Sequence, residues 1–380
     1  MKYFIITFGC QMNVSDSERI AGMLEKIGYK SASKINEADL IVVNMCSVRQ
    51  SAVDRVYGFL QKIKIHPVKS SQSEVFANGE QFNRVKTILT GCILKEDKKK
   101  FSNRFDLILD IKDLAKFPNL LASKNYKLKT KSYFKIKPKY SIKDLSYIPI
   151  MTGCNNFCSY CVVPYTRGKE ISRPVEEILK EARTLIKKGC KEIVLLGQNV
   201  NSYQVKRKAK SEKRKTTTQS SKLINFSELL KMIDAISGNF QISFLTSHPK
   251  DFSDELIEVI AASKKIKKEI HLPAQSGDNE ILKKMNRGYT REDYAALIKK
   301  IREKIFGVKI SSDIIVGFPG ETKKQFAKTL DLVKKARFSK IYTAKYSPRT
   351  GTAAFKLKDN VPAEEKEKRR KAVLSFAREI

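Results

Sequence analysis

The sequence is poor in histidine: His66, His248 and His271 are the only three in 380 residues. That leaves little material for the mixed cysteine–histidine zinc sites that a cysteine-bearing chain often builds. No apolar run is long enough to span a bilayer. The first residues, MKYFIITFGC, lack the charged-then-apolar pattern and small-residue cleavage site of a secretory leader. These absences argue against a membrane span and against export, and predict a cytoplasmic protein. In a reducing compartment the seven cysteines are expected as metal ligands or catalytic groups rather than disulfides. Acidic residues are scarce beside basic ones, 40 Asp+Glu against 75 Lys+Arg, a formal charge of +35. Such an excess attracts a polyanion, most commonly nucleic acid. The plainer alternative is a lysine-rich composition spread over solvated faces.

What is present is enough for a packed α/β protein, with 41% hydrophobic residues. The length predicts two domains. The first segment alternates strand and helix. Tyr3–Phe8, Leu40–Asn44, Thr87–Thr90 and Leu107–Leu109 read as strands. Ser15 and Glu18 have capping-box spacing before an amphipathic pattern that runs to Gly28, and 47–63 reads as a helix. This alternation predicts a parallel sheet covered by helices.

Lys124–Lys143 holds eight lysines interleaved with Tyr126, Tyr133, Phe134 and Tyr140. It reads either as a linker or as a basic–aromatic surface for RNA, where lysines take phosphates and rings stack on bases. Six further strand candidates follow, at Tyr147–Thr152, Glu192–Gly197, Gln241–Thr246, Glu269–Pro273, Lys309–Phe318 and Lys340–Ser347. Helical stretches at Val175–Lys188, Phe226–Ile236 and Arg291–Lys304 separate some of them. Six such units predict a partial (βα)6 barrel with its chemistry at the C-terminal strand ends. Gln204–Lys222, with eight Lys/Arg and one Glu, reads as a flexible basic insertion. The expected domains are 1–123, a basic linker 124–146, a barrel 147–362 and a charged helical tail 363–380.

Cys154, Cys158 and Cys161 fall at C-x-x-x-C-x-x-C spacing on a loop directly after a strand. Three thiolates this close suit one soft metal centre. On a cubane of four irons they leave one iron open, able to chelate S-adenosylmethionine and to reduce its sulfonium, giving a 5′-deoxyadenosyl radical. Buried structural cysteines or a zinc site are the alternatives. Cys10, Cys46 and Cys92 are separated by 36 and 46 residues, but each immediately follows a strand candidate. In a parallel sheet those ends share one edge, where three thiolates can meet and hold a second cluster. The alternative is small apolar cysteines packed at strand ends. Cys190, in a Lys-Lys-Gly-Cys-Lys turn, reads as a structural thiol.

Gly153–Pro174, GCNNFCSYCVVPYTRGKEISRP, resembles the cluster loop of the radical S-adenosylmethionine methylthiotransferases. TFGCQMNVSDSE, NMCSVRQSA and LTGC resemble that family's N-terminal cluster domain, so the resemblance covers essentially the whole chain. LLGQNVNSY, LTSHP, HLPAQSGDNEILKKMNRGYT and SSDIIVGFPGET look most like the subgroup that acts on dimethylallyl-adenosine in tRNA. Sister groups act on threonylcarbamoyl-adenosine in tRNA or on an aspartate of a ribosomal protein.

The resemblance implies two 4Fe–4S clusters. Cys154, Cys158 and Cys161 would ligate the radical-generating one, and Cys10, Cys46 and Cys92 an auxiliary one holding the sulfur to be transferred. One S-adenosylmethionine would methylate that sulfur. A second would give the radical that removes hydrogen from carbon 2 of the adenine beside the anticodon. For the S-adenosylmethionine contacts it implies Tyr160, Gln198, Asn199, Gln275, Asp313 and the Gly317–Glu321 turn. Arg167 and Arg173, flanking the cluster loop, would hold substrate phosphate or order the loop.

The implied partners are a tRNA anticodon stem-loop and a flavodoxin- or ferredoxin-like electron donor. The protein is expected as a monomer with no membrane association. The resemblance also implies a small β-rich RNA-binding domain after the barrel, where this sequence stops at Ile380. Lys124–Lys143 and Gln204–Lys222 would partly substitute for it. A non-catalytic, zinc-stapled RNA-binding protein is the distant alternative.

Overall fold

The computed structural model describes residues 1–48, 50–62, 85–121, 132–141, 144–208 and 221–376. The chain divides into two units, Met1–Ser141 with Tyr165–Gly168, and Ile142–Pro164 with Lys169–Ile380.

In the first unit, five strands form a parallel sheet: β1 (Lys2–Phe8), β2 (Lys30–Ser31), β3 (Leu40–Cys46), β4 (Lys86–Cys92) and β5 (Leu107–Asp110). Their order is β2-β1-β3-β4-β5. Alternate residues of β3 serve opposite faces. Leu40 and Val42 pack with Ile20, Met23 and Leu24 of the helix Gln11–Lys26. Ile41, Val43 and Met45 pack with Val53, Val56 and Leu60 of the helix Gln50–Lys62. A strand buried on both faces reads as the nearly continuous apolar run LIVVNMC, interrupted only by Asn44.

The first helix begins five residues earlier than the Ser15–Glu18 capping box predicts, with Cys10 in place of Ser15 at its N-cap. The Asn13 side chain accepts from the Cys10 backbone N–H at 3.2 Å and closes the first turn there. Ser15 and Glu18 lie inside the helix instead, and Glu18 accepts from the N–H and hydroxyl of Ser141.

The expected basic–aromatic surface also differs. Residues 122–131, with Tyr126, lie outside the described residues, but residues 132–141 form part of the first unit's wall. Phe134 and Ile136 are buried. Tyr133 donates its hydroxyl to Asp16 at 2.6 Å. These rings are used up in packing and are not platforms for bases.

The second unit contains β6 (Leu145–Pro149), β9 (Glu192–Leu196), β12 (Gln241–Phe244), β13 (Glu269–His271), β14 (Lys309–Val316) and β15 (Lys340–Lys345). They form two three-stranded parallel sheets, β12-β9-β6 and β13-β14-β15. A parallel bridge from Ile242 to Ile266, just ahead of β13, continues the order. Six parallel strands in sequence order make the open (βα)6 barrel, with all C-terminal ends on one face. The pair β7 (Met151–Thr152) and β8 (Ile171–Ser172) brackets the cysteine loop. The described ends of the expected flexible insertion are ordered as antiparallel strands, β10 (Gln204–Lys208) and β11 (Ser221–Asn225). Residues 209–220 lie outside the description. Among the described residues no helix is long and apolar enough to cross a membrane.

The charged helix Ala363–Phe376 is part of the second unit's packing. Arg369 forms a buried ion pair with Glu321 at 2.8 Å and also donates to the Glu321 carbonyl. Burial raises the pKa of the Glu321 carboxyl. Breaking a buried pair by removing one partner typically costs about 3–5 kcal/mol. Arg369→Ala is therefore expected to destabilise the second unit by about that amount. Denaturant-dependent hydrogen exchange, resolved by peptide, checks this: protection falls across β13–β15 and stays unchanged in β1–β5. Equal protection in β13–β15 would show that the pair carries no such weight.

Candidate functional site

Parallel pairing places Cys46 directly against Cys92 at the last register position of β3 and β4. Phe8 pairs with Met45, so Cys10 follows two residues past the end of the neighbouring strand β1. All three cysteines thus sit at the C-terminal edge of adjacent strands. Gly91 has φ +116°, and a Cβ there would meet the Met45 carbonyl oxygen at 2.0 Å. Only glycine allows β4 to approach β3 this closely just before Cys92. Asn13 and Asn44 anchor the entry to the first helix. Asn13 Nδ2 donates to Asn44 Oδ1 at 3.0 Å, and Asn44 Nδ2 donates to the Asn13 carbonyl at 2.8 Å.

These thiols are electrostatically unequal. Burial raises the pKa of Cys10. Cys46 is held well above the usual thiol value, first by its hydrogen bond with Cys92 and then by burial. Cys92 is lowered, first by that same hydrogen bond and then, against burial, by Arg167. Arg167 belongs to this unit through Tyr165–Gly168. Its Nε donates to Cys92 Sγ at 3.0 Å, and its Nη2 pairs with Asp16 at 2.5 Å. At 6% exposure it faces sulfur and carboxylate, and is not turned outward to take a phosphate.

In the second unit, Cys154, Cys158 and Cys161 lie on the loop after β7 and are all partly exposed. The segment Met285–Arg287 holds this loop. Ser159 N–H donates to the Met285 carbonyl at 3.0 Å. Asn286 Nδ2 donates to the carbonyls of Asn156 and Phe157, both at 3.1 Å. Arg287 Nη1 donates to Cys158 Sγ at 3.2 Å. Burial pushes the Cys161 thiol up to about 12, and Cys158 and Cys154 add to the shift. Cys154 is likewise raised by burial. Thiols that oppose one another's ionisation suit a cationic centre that replaces their protons.

Among the described residues, no three ligating side chains converge on the position of a single metal ion. A cubane asks for something else, because each cysteine binds its own iron. Both trios fit that demand: three free thiols on one edge or loop, with a buried guanidinium donating to one sulfur.

The barrel's strand ends carry polar atoms that are buried without a hydrogen-bond partner among the described residues. They include Gln198 Oε1, Asn199 Oδ1, both side-chain atoms of Asn201, Ser247 Oγ, His248 Nε2 and Gln275 Oε1. Each such atom costs about 1–3 kcal/mol if left unsatisfied. Their gathering after β9, β12 and β13 fits a polar ligand at this face. Gln275 has φ +66°, an uncommon conformation for a side chain of this kind.

Other expected cofactor residues are already engaged. Asn199 Nδ2 donates to Asp251 at 2.6 Å. Asp313 lies 3.2 Å from His271 Nε2. The Tyr160 ring packs against Met285, Phe318 and Tyr346. Gly317 N–H donates to Glu321 at 2.6 Å, and the Lys366 side chain lies over Gly317. Arg173, 5% exposed, pairs with Glu177 and Glu181 and does not face solvent. Cys190 is buried and donates to the Glu192 carbonyl.

Sequence reasoning missed Arg287, Asn286, Asp16 and His248. His248 is held neutral, with its pKa lowered to about 2 by burial and by Arg287 and Lys250. For Arg287 and Asn286 the available signal was the polar MNRGYT segment after a short helix.

Comparison with known proteins extends over both units. A model of the Radical SAM superfamily matches residues 148–333, and one described as Uncharacterized protein family UPF0004 matches residues 2–110. The tRNA-2-methylthio-N(6)-dimethylallyladenosine synthase of Carboxydothermus hydrogenoformans is 43% identical over 384 residues, covering 97% of this chain and 81% of that protein. The enzyme of the same name from Thermotoga petrophila is 41% identical over 391 residues, covering 100% and 82%. Among solved structures, the radical S-adenosylmethionine methyltransferase TsrM from Kitasatospora setae superposes with a TM-score of 0.59 at 13% identity, covering 90% of this chain and 72% of that one. The cobalamin-dependent radical enzyme OxsB superposes with a TM-score of 0.54 at 12% identity, covering 100% and 56%. At such identities these structures are alike in fold. Near-full-length identity to the named synthases shows that the chain belongs to the tRNA-2-methylthio-N(6)-dimethylallyladenosine synthases, a family of radical S-adenosylmethionine enzymes.

Proposed function

We propose that this tRNA methylthiotransferase works through two 4Fe–4S clusters, one on Cys154, Cys158 and Cys161 and one on Cys10, Cys46 and Cys92. The observation that carries the reading is the register that opposes Cys46 to Cys92 beside Cys10, with a buried arginine on the sulfur. An aromatic C–H bond at carbon 2 of adenine is unreactive, so the reaction needs both a radical and a separate sulfur donor. When bound, the first cluster supplies reductive cleavage of S-adenosylmethionine and the second supplies the sulfur.

The protein's own residues bind and orient. Arg287 holds Cys158, and Asn286 holds the loop backbone. The unsatisfied polar atoms of Gln198, Asn199 and Gln275 are the proposed contacts to S-adenosylmethionine. Asp313, the Gly317 turn and the Tyr160 backbone complete that set. Burial of Arg167 and Arg173 speaks for loop ordering over phosphate binding. The substrate is the anticodon stem-loop, whose unpaired adenine leaves its stack at low cost. The charge of +35 supports that partner. We further assign a flavodoxin- or ferredoxin-like electron donor, action as a monomer and a cytoplasmic location.

Two experiments test this. Cys154→Ala is expected to abolish both S-adenosylmethionine cleavage and tRNA methylthiolation. Cys10→Ala is expected to retain cleavage, read as 5′-deoxyadenosine, while the methylthio group disappears from tRNA nucleosides by mass spectrometry. A Cys10→Ala protein that still methylthiolates would remove the second cluster from the mechanism.

For tRNA binding, neutralising Lys206, Arg207, Lys213 and Lys215 is expected to flatten the plot of log affinity against log salt. On a single strand, every phosphate that is no longer neutralised lowers the slope by about 0.7. An unchanged slope would take the 204–222 segment out of the interface.

A further inference from the structure

The UPF0004 match ends at residue 110, yet the unit bearing Cys10, Cys46 and Cys92 also contains Tyr165–Gly168. That segment follows Cys161 by only four residues. Arg167, its one arginine, is oriented through all three of its nitrogens. Nη1 and Nη2 face the two oxygens of Asp16 at 3.4 and 2.5 Å, and Nε faces Cys92 Sγ at 3.0 Å. Asp16 is fully buried and also accepts from the Tyr133 hydroxyl at 2.6 Å. The carboxylate is thus held from a second side, and the guanidinium plane is fixed with its Nε–H on the sulfur.

Burying an arginine and an aspartate together is weak evidence for stability, because desolvation offsets much of their attraction. A purely structural pair has no reason to aim its third donor at one cysteine. Hydrogen bonds to ligating sulfurs set the reduction potentials of iron–sulfur clusters, and a donor to the sulfur favours the reduced, more negative state.

The geometry points to Arg167 as a positioning residue of the Cys10–Cys46–Cys92 site: clamped by Asp16, it directs Nε–H at the Cys92 sulfur, fixes that ligand and raises the reduction potential of the cluster it binds. The inference rests on the reading that this trio holds a cluster. One loop of sequence would then supply the three ligands of one cluster and the charged donor of the other.

The test uses the full chain with Cys154, Cys158 and Cys161 all changed to alanine, reconstituted anaerobically with iron and sulfide, so that only the second cluster can form. Two variants are compared in that background. Arg167→Lys keeps the charge but loses the planar fork. Asp16→Asn with Arg167→Met removes both buried charges together. Redox titration followed by electron paramagnetic resonance, an iron count and an unfolding midpoint are measured for each.

The expected result is a cluster reduced at lower potential than in the parent, or iron lost from a protein that still folds. Full iron at the parent's potential, in either folded variant, would overturn the assignment, since a merely structural arginine moves only the unfolding midpoint. If the double variant fails to fold, Arg167→Lys decides alone. A parent that itself holds no iron would overturn the cluster reading, a failure distinct from that of Arg167.

Discussion

Parallel pairing of β3 with β4, in the register that sets Cys46 opposite Cys92, is the constraint on which the N-terminal site depends. Side chains on a strand alternate between faces, so a slip of one residue would send one of these sulfurs to the opposite face. The register is protected because both strands are buried on both sides by unlike clusters. Gly91 lets the two backbones close up immediately before the cysteines. A site assembled this way needs no long loop to bring distant cysteines together, since the sheet has already done so.

The two trios are built by different means and share one device. One uses strand ends separated by dozens of residues, and the other a tight loop pinned by Asn286. In each, a buried guanidinium donates to a single sulfur, Arg167 to Cys92 and Arg287 to Cys158. Desolvation makes a thiol resist ionisation, as at Cys161 and Cys10. Neutral surroundings alone would therefore disfavour ligation. At Cys92 the hydrogen bond with Cys46 and the fixed Arg167 cation lower that barrier.

The legible part of this protein was the part encoded locally. LIVVN, KISSDIIV and similar runs announce strands within a few residues, and the cysteine that follows each N-terminal strand is visible at once. The six barrel strands and the parallel N-terminal sheet followed from that alternation. What stayed hidden depends on residues far apart in sequence. Arg167 reaches a cysteine 75 residues earlier, and Arg287 one 129 residues earlier. Tyr133 and Phe134 sat among lysines and read as surface, yet Tyr133 satisfies Asp16 across 117 positions. The helix start was misplaced because Asn13 caps it from inside its first turn, a role that a side chain's identity alone does not reveal.

The central claim is that the chain holds two clusters of four irons. Anaerobic purification with iron and acid-labile sulfide quantified per chain tests it most directly. Two cubanes require about eight irons and at least about eight sulfides per chain, the expected result. About four irons would remove one trio from the chemistry, and a colourless, zinc-bearing protein without labile sulfide would contradict the account altogether.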